Sequence, residues 1–217
     1  MISAICNWFV KITGWIPQLL IFRIKIYYKE KRVQSRKIKG KAIIASNHFS
    51  LFDFAALMFV FWRRTLRCVV AEIMYRKNIF MTTLLKALGS VKADRESLDF
   101  TFIGRCKKIL DKGGVVEIYP ESRLPTPEDK GELLEFKPSV VYLALESGAP
   151  IIPVYTNGKY FSKERARVII GEPIMATELY DEQISHKENI SNITSYLRGK
   201  IIELRDELHR QLDEENS

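Results

Sequence analysis

Cysteine, histidine and long uninterrupted apolar runs are scarce in this sequence of 217 residues. The three cysteines, Cys6, Cys68 and Cys106, are far apart, so they form neither a disulfide framework nor the paired spacing of a metal site. We therefore predict a reducing cytosolic environment, thiols that are small core residues, and no bound metal. A P-loop and a dinucleotide-binding glycine pattern are also missing, which argues against these two kinds of nucleotide site.

The N-terminal segment is strongly apolar, but it does not read as a simple transmembrane helix. Lys11, Arg23 and Lys25 divide it into uncharged stretches that are shorter than the ~20 residues needed to cross a bilayer. No small-residue cleavage site follows, which argues against a removable signal peptide. Gly14 and Pro17 predict two short helices or one bent helix.

Aromatic and basic residues favour a position for this segment at a membrane surface. Trp8 and Trp15 lie within it. Basic residues follow it at Lys29, Lys31, Arg32, Arg36, Lys37, Lys39 and Lys41. Because this combination suits helices that rest on anionic headgroups, we predict a membrane-interface segment at residues 1–40. It would attach the protein, as a monotopic or peripheral protein, to the cytoplasmic face of a membrane; the alternatives are a buried amphipathic hairpin and a dimer interface.

The remaining residues, 41–217, are numerous enough for one domain with a buried core, and 47% of the whole sequence is hydrophobic. The formal net charge of +8 predicts an anionic partner. Phosphorylated small molecules, nucleic acid and an acidic lipid surface all fit this charge. Nucleic acid fits least, because the sequence has no aromatic stacking motif on a basic sheet.

Short apolar runs alternate with helical patterns in this domain, which predicts an α/β fold with a mostly parallel or mixed central sheet flanked by helices. The predicted strands are 42–46, 66–70, 89–95, 115–119, 151–155 and 166–170. The predicted helices are 73–88, 97–110, 136–146 and 187–212. Pro153 lies inside a predicted strand and suggests that this strand is at an edge or contains a bulge.

The segment from Asn47 to Asp53 joins the first strand of this domain to an apolar helical stretch. If the helix begins between His48 and Asp53, the carboxylate can accept the Nδ1 proton of the imidazole. That hydrogen bond would fix the tautomer and leave Nε2 as a general base for a substrate hydroxyl, with no acylated serine or cysteine. The structural alternative is that Asp53 or Ser50 caps the helix and His48 is a turn residue.

Charged residues follow two further strands of the predicted sheet. Asp94 and Arg95 end one strand, and Glu121 and Arg123 come just after another. Ligands of open α/β sheets usually bind at the carboxyl ends of the strands, so these residues could converge with His48. The two arginines would then hold a phosphate through forked, charge-assisted hydrogen bonds, although each arginine alone is typical of a solvated surface.

Taken together, four blocks in this order resemble the glycerolipid acyltransferase family, the 1-acylglycerol-3-phosphate acyltransferases, over about residues 40 to 175. Asn47-His48 with Asp53 matches the His-x4-Asp block of that family. The other three blocks are the glycine-led strand from Gly89 to Arg95, the segment Tyr119-Pro120-Glu121-Ser122-Arg123, and the segment Ala149-Pro150-Ile151-Ile152-Pro153-Val154.

This resemblance implies roles that agree with the residue-level interpretation. His48 would remove the proton from a glycerol hydroxyl, and Asp53 would orient His48, with Asn47 in the same block. Arg95 and Arg123 would bind the phosphate of the acceptor, and Glu121 with Ser122 would arrange that pocket. Pro153 and its neighbours would shape the acyl-donor side. The resemblance implies no cofactor, since the donor would be acyl-CoA or acyl carrier protein.

Two positions depart from the pattern of the family. Ser122 stands where the family usually has glycine, so the backbone could approach a phosphate less closely. A lysine that often precedes a Glu-Leu pair is missing at Ala71-Glu72-Ile73. If that lysine stabilises an oxyanion in relatives, a backbone N–H or Arg67 must do so here.

We therefore predict an O-acyltransferase that moves a fatty acyl chain from a thioester to a lysophospholipid, most simply 1-acylglycerol-3-phosphate, and makes phosphatidic acid. Membrane lipids would be its partners, and nucleic acid would not. Transfer to another lipid alcohol, such as a glycolipid, an aminoacyl lipid or a different lysophospholipid, is one alternative. A catalytically silent lipid-binding protein is the other.

Overall fold

A seven-stranded mixed sheet forms the centre of the part of the chain that the structure describes. The structure is a computed structural model that describes residues 2–76, 78–93, 101–129 and 132–216. The strands are β1 (Lys25–Tyr28), β2 (Ala42–Ser46), β3 (Leu66–Ala71), β4 (Val91–Ala93), β5 (Val115–Ile118), β6 (Ile151–Thr156) and β7 (Arg167–Ile170). They are arranged in the order β1-β7-β6-β2-β5-β3-β4, and β6 with β7 is an antiparallel pair in an otherwise parallel sheet.

Helices cover both faces of this sheet, which is why its central strands consist almost wholly of buried residues. The helices are α1 (Ile2–Thr13), α2 (Trp15–Ile21), α3 (Asp53–Val60), α4 (Glu72–Arg76), α5 (Ile79–Leu88), α6 (Thr101–Asp111), α7 (Ser139–Ser147) and α8 (His186–Asn216). One core lies between the sheet and α6, α7 and α8. A second core lies on the opposite face, where Leu57, Val60 and Phe61 in and after α3 pack against the strands.

The prediction of an α/β fold is confirmed, and one expectation about helices is wrong. β1 lies inside the segment that was predicted as a helical anchor, and it pairs with β7, so the sheet extends into residues 1–40.

Pro153 was predicted to lie at an edge or a bulge. β6 lies between β2 and β7, so Pro153 is not at an edge. The bulge is confirmed, because Val154 pairs with Ile170 while Ile151 pairs with Ile174, so that two residues of β6 face three residues of the partner segment. The Pro153 carbonyl accepts from the Gly171 N–H at 2.9 Å at the start of this bulge.

The first two helices dock against the domain through polar contacts. Gly14 separates them, as expected. The Asn7 side chain donates to the Leu88 carbonyl at 3.0 Å. The buried Lys11 ammonium donates to the carbonyls of Trp62 and Arg64 at 2.9 and 2.6 Å, and burial lowers the pKa of Lys11 to about 8. Within the described residues, no helix combines the length and the apolar character that crossing a membrane requires.

The order of the strands decides where a site can form. β2, β5 and β6 are adjacent and mutually parallel where they pair, so their carboxyl ends meet at one edge of the sheet. His48 and Glu121 lie in the segments that follow β2 and β5, and Thr156 is the last residue of β6. This edge therefore gathers side chains from three distant parts of the sequence, as is typical of ligand sites in open α/β sheets.

Candidate active site

His48 and Asp53 form a direct pair in the turn between β2 and α3. The Nδ1 atom of the imidazole lies 2.9 Å from Oδ2 of Asp53. The carboxylate is fully buried, and the imidazole side chain is 13% exposed. Since α3 begins at Asp53, the contact is made across a tight non-helical turn. The predicted contact between His48 and Asp53 is therefore present. It is made by a turn that folds the ring back over the start of α3, and not by two residues on one helical face.

The Asp53 carboxylate also organises the backbone of this turn. Oδ2 accepts hydrogen bonds from the N–H groups of Phe49 and Ser50, both at 2.8 Å, in addition to its contact with the imidazole. Asp53 is the first residue of α3, where the helix dipole favours a negative charge. The alternative that Asp53 or Ser50 caps α3 is wrong, because the N-cap residue is Phe52 and no side chain makes a cap hydrogen bond there. The Asp53 carboxylate instead stabilises the turn before the helix and holds the ring.

Beneath the imidazole lies a buried tyrosine and glutamate pair from β5 and its carboxyl end. The rings of His48 and Tyr119 stack with centroids 4.2 Å apart and planes inclined by 20°. The Tyr119 hydroxyl donates to Oε1 of Glu117, which is completely buried. Burial raises the pKa of Glu117 well above its usual range, and the nearby Asp53 charge acts in the same direction. Both effects disfavour a second negative charge beside Asp53.

Glu121 connects the His48 turn to a distant loop. Its Oε1 accepts from the His48 backbone N–H at 3.1 Å, and its Oε2 accepts from the Leu134 N–H at 3.3 Å. Burial raises the pKa of Glu121 to about 7, although these two amides lower it. The predicted role was to arrange a phosphate pocket. The geometry adds that this side chain also fixes the backbone at the candidate base.

Arg198 of α8 holds the loop that Glu121 contacts. Its guanidinium donates to the Leu134 carbonyl at 3.0 Å and to the Leu133 carbonyl at 2.6 Å. A continuous set of contacts therefore runs from Arg198 through Leu134 and Glu121 to His48. Arg198, Glu121 and Arg123 also line one cavity of about 970 Å³.

Asn47 ties the end of β2 to the end of β6. Its Nδ2 donates to the Thr156 carbonyl at 2.9 Å, and its Oδ1 accepts from the Thr156 N–H at 2.8 Å. The Thr156 hydroxyl in turn contacts the Tyr160 hydroxyl at 3.0 Å. Because Asn47 is fully buried, this reciprocal pair fixes the start of the His48 turn relative to the sheet.

The two arginines that were predicted to bind phosphate have different outcomes. Arg95 lies outside the described residues. Arg123 is exposed, and its guanidinium donates two hydrogen bonds, of 2.8 and 2.9 Å, to the Asp129 carboxylate. This pairing holds the pKa of Asp129 well below its usual range. A phosphate at Arg123 must therefore share the guanidinium with Asp129 or displace it.

Ser122 has a backbone conformation that explains why glycine is common at this position in the resembled family. Its φ angle is +56°, in the left-handed region that residues with a Cβ rarely adopt. Its N–H donates to the Tyr119 carbonyl at 3.0 Å, so the turn between Tyr119 and Arg123 is tightly closed. The backbone of Ser122 is therefore strained in this conformation.

Arg67 and Pro153 lie away from the imidazole. The Arg67 guanidinium donates to the Leu88 carbonyl at 2.7 Å and to the Ser3 hydroxyl at 2.8 Å. Because these partners hold it on the side of β3 away from His48, Arg67 is not the oxyanion donor. A backbone N–H remains as the predicted donor. Pro153 is buried on the α8 side of the sheet, since a Cβ on Gly171 would meet both Pro153 and Leu204 at 3.0 Å. Its assignment to the acyl-donor side stays a prediction.

Sequence reasoning missed three side chains that shape this site. The sequence pattern predicts only that Glu117 lies in a strand. A carboxylate within an apolar strand run nevertheless indicates a buried polar group that needs a hydrogen-bond partner. Tyr119 carried a hint in its place before Pro120 and Glu121. Arg198 carried none, because it occupies a long helix with many charged residues, where one more cation is most simply a solvated side chain.

The acyltransferase family model matches residues 23–157, which is more than half of the chain. The chain belongs to the acyltransferase family. The matched span contains the His48–Asp53 pair, Glu121 and Arg123, whereas α1, α2 and α8 of this chain lie outside it.

Individual relatives agree with this assignment. A human protein named 1-acyl-sn-glycerol-3-phosphate acyltransferase beta is 24% identical over 180 residues, which cover 78% of this chain and 64% of that protein. A Bacillus subtilis 1-acyl-sn-glycerol-3-phosphate acyltransferase is 28% identical over 137 residues, covering 61% of this chain and 65% of that protein. The chain thus spans slightly less than two thirds of the length of these relatives.

The fold of this chain also has a solved counterpart. The crystal structure of the 1-acyl-sn-glycerophosphate (LPA) acyltransferase PlsC from Thermotoga maritima superimposes with a TM-score of 0.64 at 17% identity. The match covers 94% of this chain and 79% of that one. The similarity extends beyond the family match to nearly the whole chain, and it confirms the α/β fold.

Replacing Ser122 by glycine should stabilise the protein by about 1 kcal/mol, because the left-handed conformation then carries no Cβ penalty. Urea unfolding of the wild type and S122G would measure this change. Ser122→Ala is the matched control, because it removes the hydroxyl and keeps the Cβ. If S122A stabilises the protein as much as S122G does, backbone strain is not the cause.

Proposed function

We propose that this protein transfers a fatty acyl chain from a thioester to the free hydroxyl of 1-acylglycerol-3-phosphate and thereby makes phosphatidic acid. The observation that carries the proposal is the contact between Nδ1 of His48 and the buried Asp53 carboxylate at the carboxyl edge of the sheet. The family and the names of the human and Bacillus subtilis relatives support the same reaction class.

The geometry supports a direct transfer in which His48 is the general base. Nδ1 is engaged by Asp53, so the neutral tautomer with its proton on Nδ1 leaves Nε2 as the acceptor. Nε2 takes the proton of the acceptor hydroxyl while the oxygen attacks the thioester carbon. The carbon–sulfur bond then breaks, and the thiolate leaving group receives the proton from the imidazolium. Asp53 stabilises the imidazolium that exists between these two steps.

The acceptor phosphate would bind near Arg123, in the cavity that Arg123 shares with Glu121 and Arg198. A phosphate matches the planar fork of a guanidinium as a carboxylate does, so it can take the place of Asp129. Glu121 then has two tasks, since it lies between this cavity and the His48 backbone. Arg95 keeps its proposed role in holding the same phosphate.

The surface around the site suits a substrate that remains in a lipid layer. Large apolar side chains on α1 and α2 are exposed, including Phe9, Ile12, Ile16 and Leu20. The buried ring of Phe22, just after α2, connects these helices to the site, because its centroid lies 6.3 Å from that of Phe52, four residues after His48. We therefore propose that α1 and α2 rest on the membrane and present the acceptor to His48 from the lipid side.

A second acceptor class has a specific observation in its favour. Glu128, Asp129, Glu132 and Glu135 line the cavity around Arg123, so its described lining is richer in acids than in cations. A lysophospholipid whose headgroup carries an ammonium group as well as a phosphate would complement this lining. Comparing transfer to lysophosphatidylethanolamine and to 1-acylglycerol-3-phosphate, with products read by mass, separates the two acceptors.

Replacing His48 by alanine should lower acyl transfer to 1-acylglycerol-3-phosphate by roughly 10²- to 10⁴-fold or more, because the general base is lost. The rate would be followed with acyl-CoA and the purified, detergent-dispersed protein. His209→Ala, an exposed change on α8, is the matched control. Unchanged turnover in a folded H48A protein would overturn the catalytic assignment. If the wild type binds lipid but transfers acyl groups to no acceptor, the alternative of a catalytically silent lipid-binding protein is correct.

Substitutions at Arg123 and Asp129 should act in opposite directions on the acceptor. Arg123→Gln should raise the KM for 1-acylglycerol-3-phosphate about tenfold with little change in kcat, because a charge-assisted contact to phosphate is lost. Asp129→Asn should lower that KM, because the competing carboxylate is removed from Arg123. Steady-state kinetics at fixed acyl-CoA would measure both. If the two variants shift KM in the same direction, Arg123 does not bind the phosphate.

Membrane attachment should depend on the exposed apolar face of the first two helices. The double variant Ile12→Ser with Leu20→Ser should float with anionic phosphatidylglycerol vesicles much less than the wild type does. Leu179→Ser with Tyr196→Ser, at exposed positions elsewhere, is the matched control. Equal flotation of the wild type and both double variants would contradict the proposed membrane surface.

A further inference from the structure

Glu117 is a carboxyl group in an apolar part of the core. Val115, Glu117 and Tyr119 alternate along β5 and just beyond it, so their side chains share the face of the sheet that α3 covers. The core on that face includes Leu57 and Cys68. Glu117 is completely buried there, and its Oε2 atom has no hydrogen-bond partner within the described part of the chain. The position of this carboxyl group therefore needs an explanation.

The stability of the fold does not account for Glu117 and its partner Tyr119. The Tyr119 hydroxyl donates to Oε1 of Glu117. Burial of the carboxyl group costs free energy, as the raised pKa of Glu117 reflects. Replacement of both partners of a buried hydrogen bond by apolar groups of the same shape is nearly neutral or stabilising. A leucine and a phenylalanine would thus suit the fold at least as well, so the explanation must lie in what Tyr119 contacts.

Tyr119 contacts the imidazole of His48 face to face. The two ring centroids are 4.2 Å apart, and the planes are inclined by 20°. The contact with Asp53 fixes only the Nδ1 atom of the imidazole, and a ring held at one atom can still tilt about it. A flat ring stacked against the imidazole restricts this tilt. The direction in which Nε2 points therefore depends on Tyr119 as well as on Asp53.

Glu117 restrains Tyr119 in turn. The backbone of Glu117 is held on both sides, because β5 pairs there with β2 at Ile44 and with β3 at Cys68. The Tyr119 hydroxyl is the far end of its side chain, so a hydrogen bond at that point prevents the ring from swinging. This hydrogen bond also makes the phenol ring richer in electrons, and the face of such a ring attracts a cation such as the imidazolium.

We infer that Glu117 and Tyr119 are positioning residues for acyl transfer: Glu117 holds the phenol, and the phenol holds the plane of the His48 ring. The inference rests on the proposed function and adds two residues to it. Both side chains are buried, so neither is placed to bind a substrate. The pair should therefore affect the step in which His48 takes up the proton and leave substrate binding unchanged.

The first test needs no acyl transfer. In protein labelled with carbon-13 in its three histidines, the His48 signal is the one that is missing from H48A. The ring current of Tyr119 should shift this signal upfield in the wild type. Glu117→Leu should remove most of that shift, because the phenol is no longer held. Glu117→Gln should keep it, because the amide oxygen still accepts from the hydroxyl. The signals of His186 and His209 are internal references, and an unchanged His48 signal in Glu117→Leu would overturn the inference.

Kinetics and stability of one double variant give the second test. Glu117→Leu with Tyr119→Phe removes the buried hydrogen bond and keeps an aromatic ring at position 119. In urea it should be at least as stable as the wild type, and it should still lower kcat roughly tenfold with unchanged KM for both substrates. Glu117→Gln should keep a kcat close to that of the wild type.

A buried hydrogen bond far from the site provides the matched control. Ser147, the last residue of α7, donates to the Leu143 carbonyl at 2.6 Å. Ser147→Ala should lower stability and leave kcat unchanged. A folded double variant with the kcat of the wild type would overturn the inference and leave the proposed function standing. A wild type that transfers no acyl group would contradict the proposed function, and the His48 signal alone would then decide whether Glu117 and Tyr119 hold the ring.

Discussion

One carboxylate oxygen organises the candidate site. Oδ2 of Asp53 accepts from the imidazole of His48 and from the N–H groups of Phe49 and Ser50, all within 2.9 Å. These contacts fold the chain between β2 and α3 into a turn that places the ring above the end of the sheet. Without that charge, three donors in a buried turn would lose their acceptor, and the ring would have no fixed tautomer.

The residues around this turn hold the His48 ring in place and disfavour a second buried negative charge beside Asp53. Burial raises the pKa of Glu117, and the hydrogen bond from the Tyr119 hydroxyl to Glu117 supports the ring on which His48 stacks. Glu121 holds the His48 backbone, and Arg198 holds the loop behind Glu121. A helix outside the family match therefore contributes to the site, which connects the C-terminal part of the chain to the chemistry.

The sequence predicted much of this arrangement where the signals are local. The apolar run before Asn47 gave β2, and Gly89, with a φ angle of +72°, ended α5 as expected. Pro153 correctly indicated a bulge, since the register between β6 and the segment after β7 shifts by one residue beside it, whereas an edge position could be excluded only by the strand order. β1 was missed for a related reason: Ile26 and Tyr28 look like the apolar helices before them until β7 provides a partner.

The sequence alone determined the pairing of His48 with Asp53 and the α/β class of the fold. Both depend on interactions between residues a few positions apart, where the chain itself limits the geometry. Tertiary structure alone decided that Glu121 holds the His48 backbone across 73 residues, that Tyr119 lies under the ring, and that Arg123 faces Asp129. Those contacts depend on the order in which the strands pair, and strand order is set by packing over the whole chain.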